Sequence, residues 1–169
     1  MLIDGKGGPD YDRLIPRAWL SAKDDLTHVR DVLRRVHRLM VDRQGAIAQV
    51  LGVTDAWHLG PSPAWPLVVV IVDEAHTFFH ERKGTAPEVK AHNALVAELS
   101  RLVEELIRKG RNVAIQVMLL TQRATGDAIP TASATTARSP SPSRLAPWTG
   151  RWPPWGRGSA SILTPPRSC

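Results

Sequence analysis

Two carboxylates, Asp73 and Glu74, follow directly on six consecutive apolar residues, Leu67–Val72. A strand of that kind delivers acid groups on rigid backbone, as electrostatic catalysis requires. The Asp can hold the water shell of a Mg²⁺ ion, and the Glu can polarise an attacking water. Hydrolysis of a phosphoanhydride needs both roles. The plain alternative is a pair of acidic residues opening a helix at its positive end. Thr121 and Gln122, with Arg123 beyond, end a second largely apolar run, Val113–Leu120. A Thr/Gln pair beside a terminal phosphate can sense its presence and pass the change to a moving element. His76 and His80 stand at i, i+4 with Glu81 beyond, which invites a zinc reading. The metalloprotease pattern needs Glu directly after the first His, and Thr77 stands there, so two histidines on a partly exposed helix are expected instead.

The elements that must position these groups alternate along the chain. Leu2–Asp4 reads as the end of a strand and the Gly-rich stretch after it as a turn. From Ser21 to about Gln44, Leu26, Val29, Leu33, Val36 and Met40 recur at spacings of three and four, one apolar face of a helix, with Ser21 and Asp24 at capping-box spacing. Leu67–Val72 is the β-branched run expected of a strand covered on both faces. Glu88–Lys109 carries Leu95, Leu99, Leu102 and Leu106 on one helical face, and Gly110 stands where a C-cap belongs. The charges Glu98, Arg101, Glu104, Glu105 and Arg108 read as a solvated face of that helix. Strand, helix, strand, helix, strand is the order of a parallel α/β sheet. Ligands of such sheets sit beyond the carboxyl ends of the strands, which is where the turns Asp4–Lys6, Asp73–His76 and Thr121–Arg123 are expected to meet.

Composition changes after Thr131. Residues 132–169 hold seven of the 14 prolines and three of the six tryptophans, with no carboxylate and no periodic apolar pattern, so a disordered tail is expected. An out-of-frame reading of GC-rich DNA would give the same residues. Five arginines of the tail, removed from the formal net charge of +6, leave +1 for residues 1–131. The high pI therefore does not by itself mark a nucleic-acid surface. Trp148, Trp152 and Trp155 among those arginines could stack on single-stranded bases, though an unselected tail explains them more simply. One terminal cysteine, Cys169, and no apolar run near the ~20 residues of a membrane span lead to the expectation of a soluble, cytoplasmic chain.

Read in order, "LIDGKG", "HRLMVDRQ", "VVVIVDEAH" and "KGRNVAIQVMLLTQRATGDAIPTA" together resemble the motor domain of FtsK/SpoIIIE-family DNA translocases, of the actinobacterial or conjugative-element kind, over residues 1–132. The resemblance implies a three-layer α/β P-loop NTPase (RecA-like) parallel sheet, incomplete here, over residues 1–131. It implies ATP and Mg²⁺ as cofactors, double-stranded DNA as partner and a hexameric ring. Carried over, Asp73 is the Walker B acid on the Mg²⁺ side, through water, and Glu74 the catalytic base. Gln122 is the sensor of the terminal phosphate with Thr121 beside it, and Arg123 and Arg111 are phosphate or neighbouring-subunit contacts.

The family's phosphate loop, Gly-x-x-x-x-Gly-Lys-Ser/Thr, departs from this sequence: Gly5-Lys6 is followed by Gly7, without the spacing or the hydroxyl. The expectation is therefore the middle of a motor domain cut at both ends, without ATPase activity of its own. The competing readings are a non-enzymatic remnant or regulatory fragment co-assembling with an intact motor and, through the letters "DEAH", a fragment of a DEAH-type helicase.

Overall fold

The computed structural model describes residues 1–122 of the 169. Arg123 and the expected tail lie outside the described residues. Four parallel strands form one sheet in the order β2-β1-β3-β4, with β1 Leu2–Asp4, β2 Ser21–Ala22, β3 Val68–Asp73 and β4 Ile115–Leu119. Helix α1, Leu26–Leu51, connects β2 to β3. The four-residue α2, His76–Phe79, and α3, Pro87–Lys109, connect β3 to β4. The α/β parallel sheet expected from the sequence is the one observed.

The two long helices pack against each other and on the sheet. Their apolar faces, Val29, Val32, Leu33, Val36, Met40 and Ile47 on α1 and Leu99, Leu102, Val103 and Leu106 on α3, close over Ile3, Val70, Val72 and Ile115 in one core. In β3 burial alternates: Val70 and Val72 are buried while Val69 and Ile71 are half-buried. The run is therefore not enclosed equally on both faces among the described residues, as unbroken β-branching had implied.

Local chemistry moves several boundaries. Ser21 does not cap α1, because Leu20–Ala22 is drawn alongside β1, with Leu2 N–H donating to Leu20 O at 3.0 Å. The cap falls to Asp25, whose side chain accepts from Thr27 N–H. At its other end α1 continues past Gln44 because Ile47 extends the buried face by another turn, and Gly52 at φ 68° ends it. Gly110 is not a left-handed cap, since its φ is −70°. It is glycine because a Cβ there would collide with Leu106 O and lie 2.9 Å from Ile115 O. The charged face of α3 is only partly solvated. Arg34 of α1 donates to Glu98 at 2.7 Å, and His37 meets Glu105 at 2.7 Å. The His37 hydrogen bond is the main cause holding the Glu105 carboxyl below its usual range.

Arg43 is the one charged core residue of α1. Its Nη1 donates to Val113 O at 3.0 Å and Ala114 O at 3.4 Å, and its Nη2 to Pro66 O at 2.9 Å. The guanidinium lies 5.1 Å from the Trp65 ring centroid, and burial lowers its pKa from the usual arginine value. One side chain thus ties α1 to the amino ends of β3 and β4. Val113 O keeps Trp65 Nε1–H and Ala114 O keeps Val68 N–H if the arginine is lost, so only part of the network would be orphaned. Arg43→Ala is expected to lower stability by about 2–4 kcal/mol and Arg43→Lys by roughly half as much, because lysine keeps the charge but not the fork. Urea unfolding checks both; a loss below about 0.5 kcal/mol for Arg43→Ala would contradict this role.

Candidate functional site

The site is built where β1, β3 and β4 end. Asp4 and Asp73 are register partners at the last positions of β1 and β3. Beyond them Gly5 N–H donates to Asp73 O at 3.0 Å. A Cβ on Gly5 would lie 2.8 Å from Asp73 O, 2.9 Å from Glu74 O and 2.9 Å from the Phe78 ring, so only glycine allows this approach. On the other side Leu120 N–H donates to Val72 O at 2.8 Å and Ala75 N–H to Leu120 O at 2.9 Å. Two of the three expected turns are thereby stitched to the third, which follows β3.

Glu74 occupies the left-handed region at φ 49°, which a side chain of its kind seldom adopts. Thr77 N–H donates to Glu74 O at 2.9 Å, and Phe78 and Phe79 of α2 are buried, so packing enforces the bend. The bend turns a straight strand end into a sharp exit at Glu74, directly after Asp73. Asp73 is half-buried, and Glu74 keeps a side-chain exposure of 14%. Glu74 Oε2 is buried without a well-formed hydrogen bond among the described residues, and His76 Nδ1 lies 3.0 Å away. The same Nδ1 lies 3.5 Å from Thr121 Oγ1.

Two contributors had no role assigned from sequence, although the turn that begins at Asp4 was expected at this edge. Asp4, only 2% exposed, accepts from Lys6 N–H at 2.9 Å and Gly7 N–H at 3.1 Å through Oδ1, while Oδ2 is buried without a hydrogen-bond partner among the described residues. The Tyr11 phenol is held above its ordinary value, first by its interaction with the nearby Asp73 carboxylate and then by burial. A tyrosine in a turn between two aspartates offers no spacing from which this could be read.

The turn after β1 is chemically occupied. Gly5 N–H serves Asp73 O, the N–H groups of Lys6 and Gly7 serve Asp4, and Lys6 Nζ pairs with Asp10 at 3.2 Å. That ion pair raises the Lys6 pKa. Three successive amides turned inward leave none of the three free to cradle a phosphate. Among the described residues no three potential ligands stand close enough to hold a metal directly, His76 and His80 included. Asp73 fits the lesser task of holding a hydrated Mg²⁺, which commonly uses one or two carboxylates.

Asp73, Glu74 and Thr121 are thus brought together, with Gln122 exposed one residue beyond. Arg111 is not with them. It precedes β4 and so lies at the amino edge of the parallel sheet, where its carbonyl accepts from Trp57 Nε1 at 2.7 Å.

A solved structure of the pCW3 conjugation coupling protein TcpA, in its monomer form with ATPγS, matches this chain at a TM-score of 0.56 and 14% sequence identity. The two chains share a fold. The match covers 75% of this chain and 35% of TcpA, so this chain spans about a third of the coupling protein's length. No protein-family model and no curated protein matches the sequence.

Strain at Glu74 has a measurable consequence. Asparagine tolerates the left-handed region better than glutamate and leaves no long carboxylate half-buried. Glu74→Asn is expected to raise stability by about 0.5–1 kcal/mol, since relief of the strain exceeds the loss of a partly exposed ion pair. Thermal melting checks this; a clear loss of stability would mean that the bend is not strained.

Proposed function

We propose that this chain is the carboxylate-bearing part of an ATP-driven DNA translocase core of the FtsK/SpoIIIE kind, working on double-stranded DNA in the cytoplasm within a ring of subunits. The supporting observation is the convergence of Asp73, Glu74 and Thr121 at the carboxyl edge of the sheet, in a fold shared with a conjugation coupling protein studied with ATPγS. In this reading Asp73 holds the hydrated Mg²⁺ that accompanies ATP, and Tyr11 orients its carboxylate. Glu74 accepts a proton from the attacking water. Thr121 and Gln122 report the terminal phosphate to β4, with Arg123 next in the chain as a further phosphate contact. Arg111, at the far edge, suits contact with a neighbouring subunit rather than with the phosphates of its own site.

The cradle for the β- and γ-phosphates is not among these residues, so the chain alone should bind nucleotide weakly and not turn it over. One observation favours the second reading, a non-enzymatic piece beside an intact motor. Strand β4 is an edge among the described residues, without proline or charge, and Met118 and Leu120 are 44% and 41% exposed. Such an edge invites pairing with another chain.

Amide NMR separates the outcomes. Mg²⁺·ATPγS at high concentration should shift the signals of Gly5, Glu74–His76 and Thr121–Gln122 and leave those of Val113–Ile115 unmoved, with no ATP turnover by the chain alone. Shifts confined to the Val113–Ile115 edge would refute the site. ATP turnover lost in Glu74→Gln would refute the inactivity.

A further inference from the structure

Glu74 can serve as a base only if its carboxylate is held in one place, and its own strand does not do this. The residue has left the strand at φ 49°, and Oε2 is buried without a well-formed hydrogen bond. The group beside it is the imidazole of His76, whose Nδ1 stands 3.0 Å from Glu74 Oε2 and 3.5 Å from Thr121 Oγ1. The backbone that carries the ring is well anchored. It belongs to α2, whose Phe78 and Phe79 are buried and whose first turn is closed by Thr77 N–H and Phe78 N–H donating to Glu74 O and Ala75 O.

We propose that His76 is the positioning residue for Glu74. Its Nδ1–H, lying between the carboxylate and the threonine hydroxyl, fixes Oε2 and ties the base to the end of β4. This rests on the reading of Glu74 as the base. As the ring stands, Nδ1 is aligned for a hydrogen bond with Thr121 and only close to Oε2, so the proposed bond to Glu74 requires the ring or the carboxylate to turn. A proton on Nδ1 is what makes the bond to Glu74 attractive. With the proton on Nε2 alone, Nδ1 would accept from Thr121 and present a lone pair to the carboxylate. The choice of partner therefore couples the position of Glu74 to Thr121, so that a movement of Thr121 at the end of β4 is felt at the base on the adjacent strand end. The histidine read from sequence as an unremarkable helix residue gains its role from the strained exit that brings Glu74 back towards it.

The pair can be tested on this chain without nucleotide, so failure here is distinguishable from failure of the translocase reading. Nitrogen-15 NMR of the His76 ring should show a proton-bearing Nδ1, and Glu74→Met or Thr121→Val should each shift that signal. In His76→Ala the Glu74 carboxyl carbon should lose its distinct chemical shift and move to that of a solvent-exposed glutamate. His76→Asn, whose amide N–H takes the place of Nδ1–H, should restore it, and His76→Gln should not. Far-ultraviolet circular dichroism of each variant confirms that the sheet persists. An Nδ1 that carries no proton and ignores Glu74→Met would overturn the proposal, as would equal rescue by Asn and Gln.

Discussion

Gly5 and the carbonyls of Asp73 and Glu74 approach closely enough that no side chain fits between them. This contact fixes the end of β1 against the end of β3, and the geometry of the carboxyl edge depends on it. With Gly5 N–H committed to Asp73 O, Asp4 is placed as the register partner of Asp73 and collects the next two free amides. With the turn after β1 drawn in, the chain after Asp73 must leave sharply. It does so through Glu74 in a conformation costly for a glutamate, held by the packing of α2 below it.

Two chemically different halves follow from that arrangement. The acid half is well made: Asp73 opposite Tyr11, and Glu74 beside His76 and Thr121. A phosphate-binding half is not formed by the Gly-rich turn, because its amides and its lysine are satisfied internally. Among the described residues two non-glycine positions take positive φ, Glu74 after β3 and Ala114 before β4, and only Glu74 carries a group with a proposed chemical role.

Much of the fold was legible because the signals are local and repeated. The three-and-four spacing of Leu26 to Met40 and of Leu95 to Leu106 marked both long helices, and the β-branched run marked β3. Boundaries failed where tertiary contacts took over. Ser21 joined the sheet instead of capping α1, and Gly110 answers a close approach rather than a left-handed turn. At the site, the acids at the end of β3 and the polar residues after β4 were legible as types in sequence. Their environment was not. The burial of Asp4, the approach of Tyr11 to Asp73 and the contact of His76 with Glu74 all depend on which turns meet in space. Arg111 shows the converse, since a residue of suitable charge four positions before β4 lies at the amino edge of the sheet, away from the acids with which a phosphate contact would have placed it.

The ends of β1, β3 and β4 form one edge, joined by backbone hydrogen bonds, rather than three independent loops. Amide hydrogen exchange of Gly5 measures this most directly, since its N–H is spent on Asp73 O. Protection approaching that of the core amides in β3 is expected, because opening this bond requires parting two strands. Exchange of Gly5 at the rate of an unstructured turn would contradict the account.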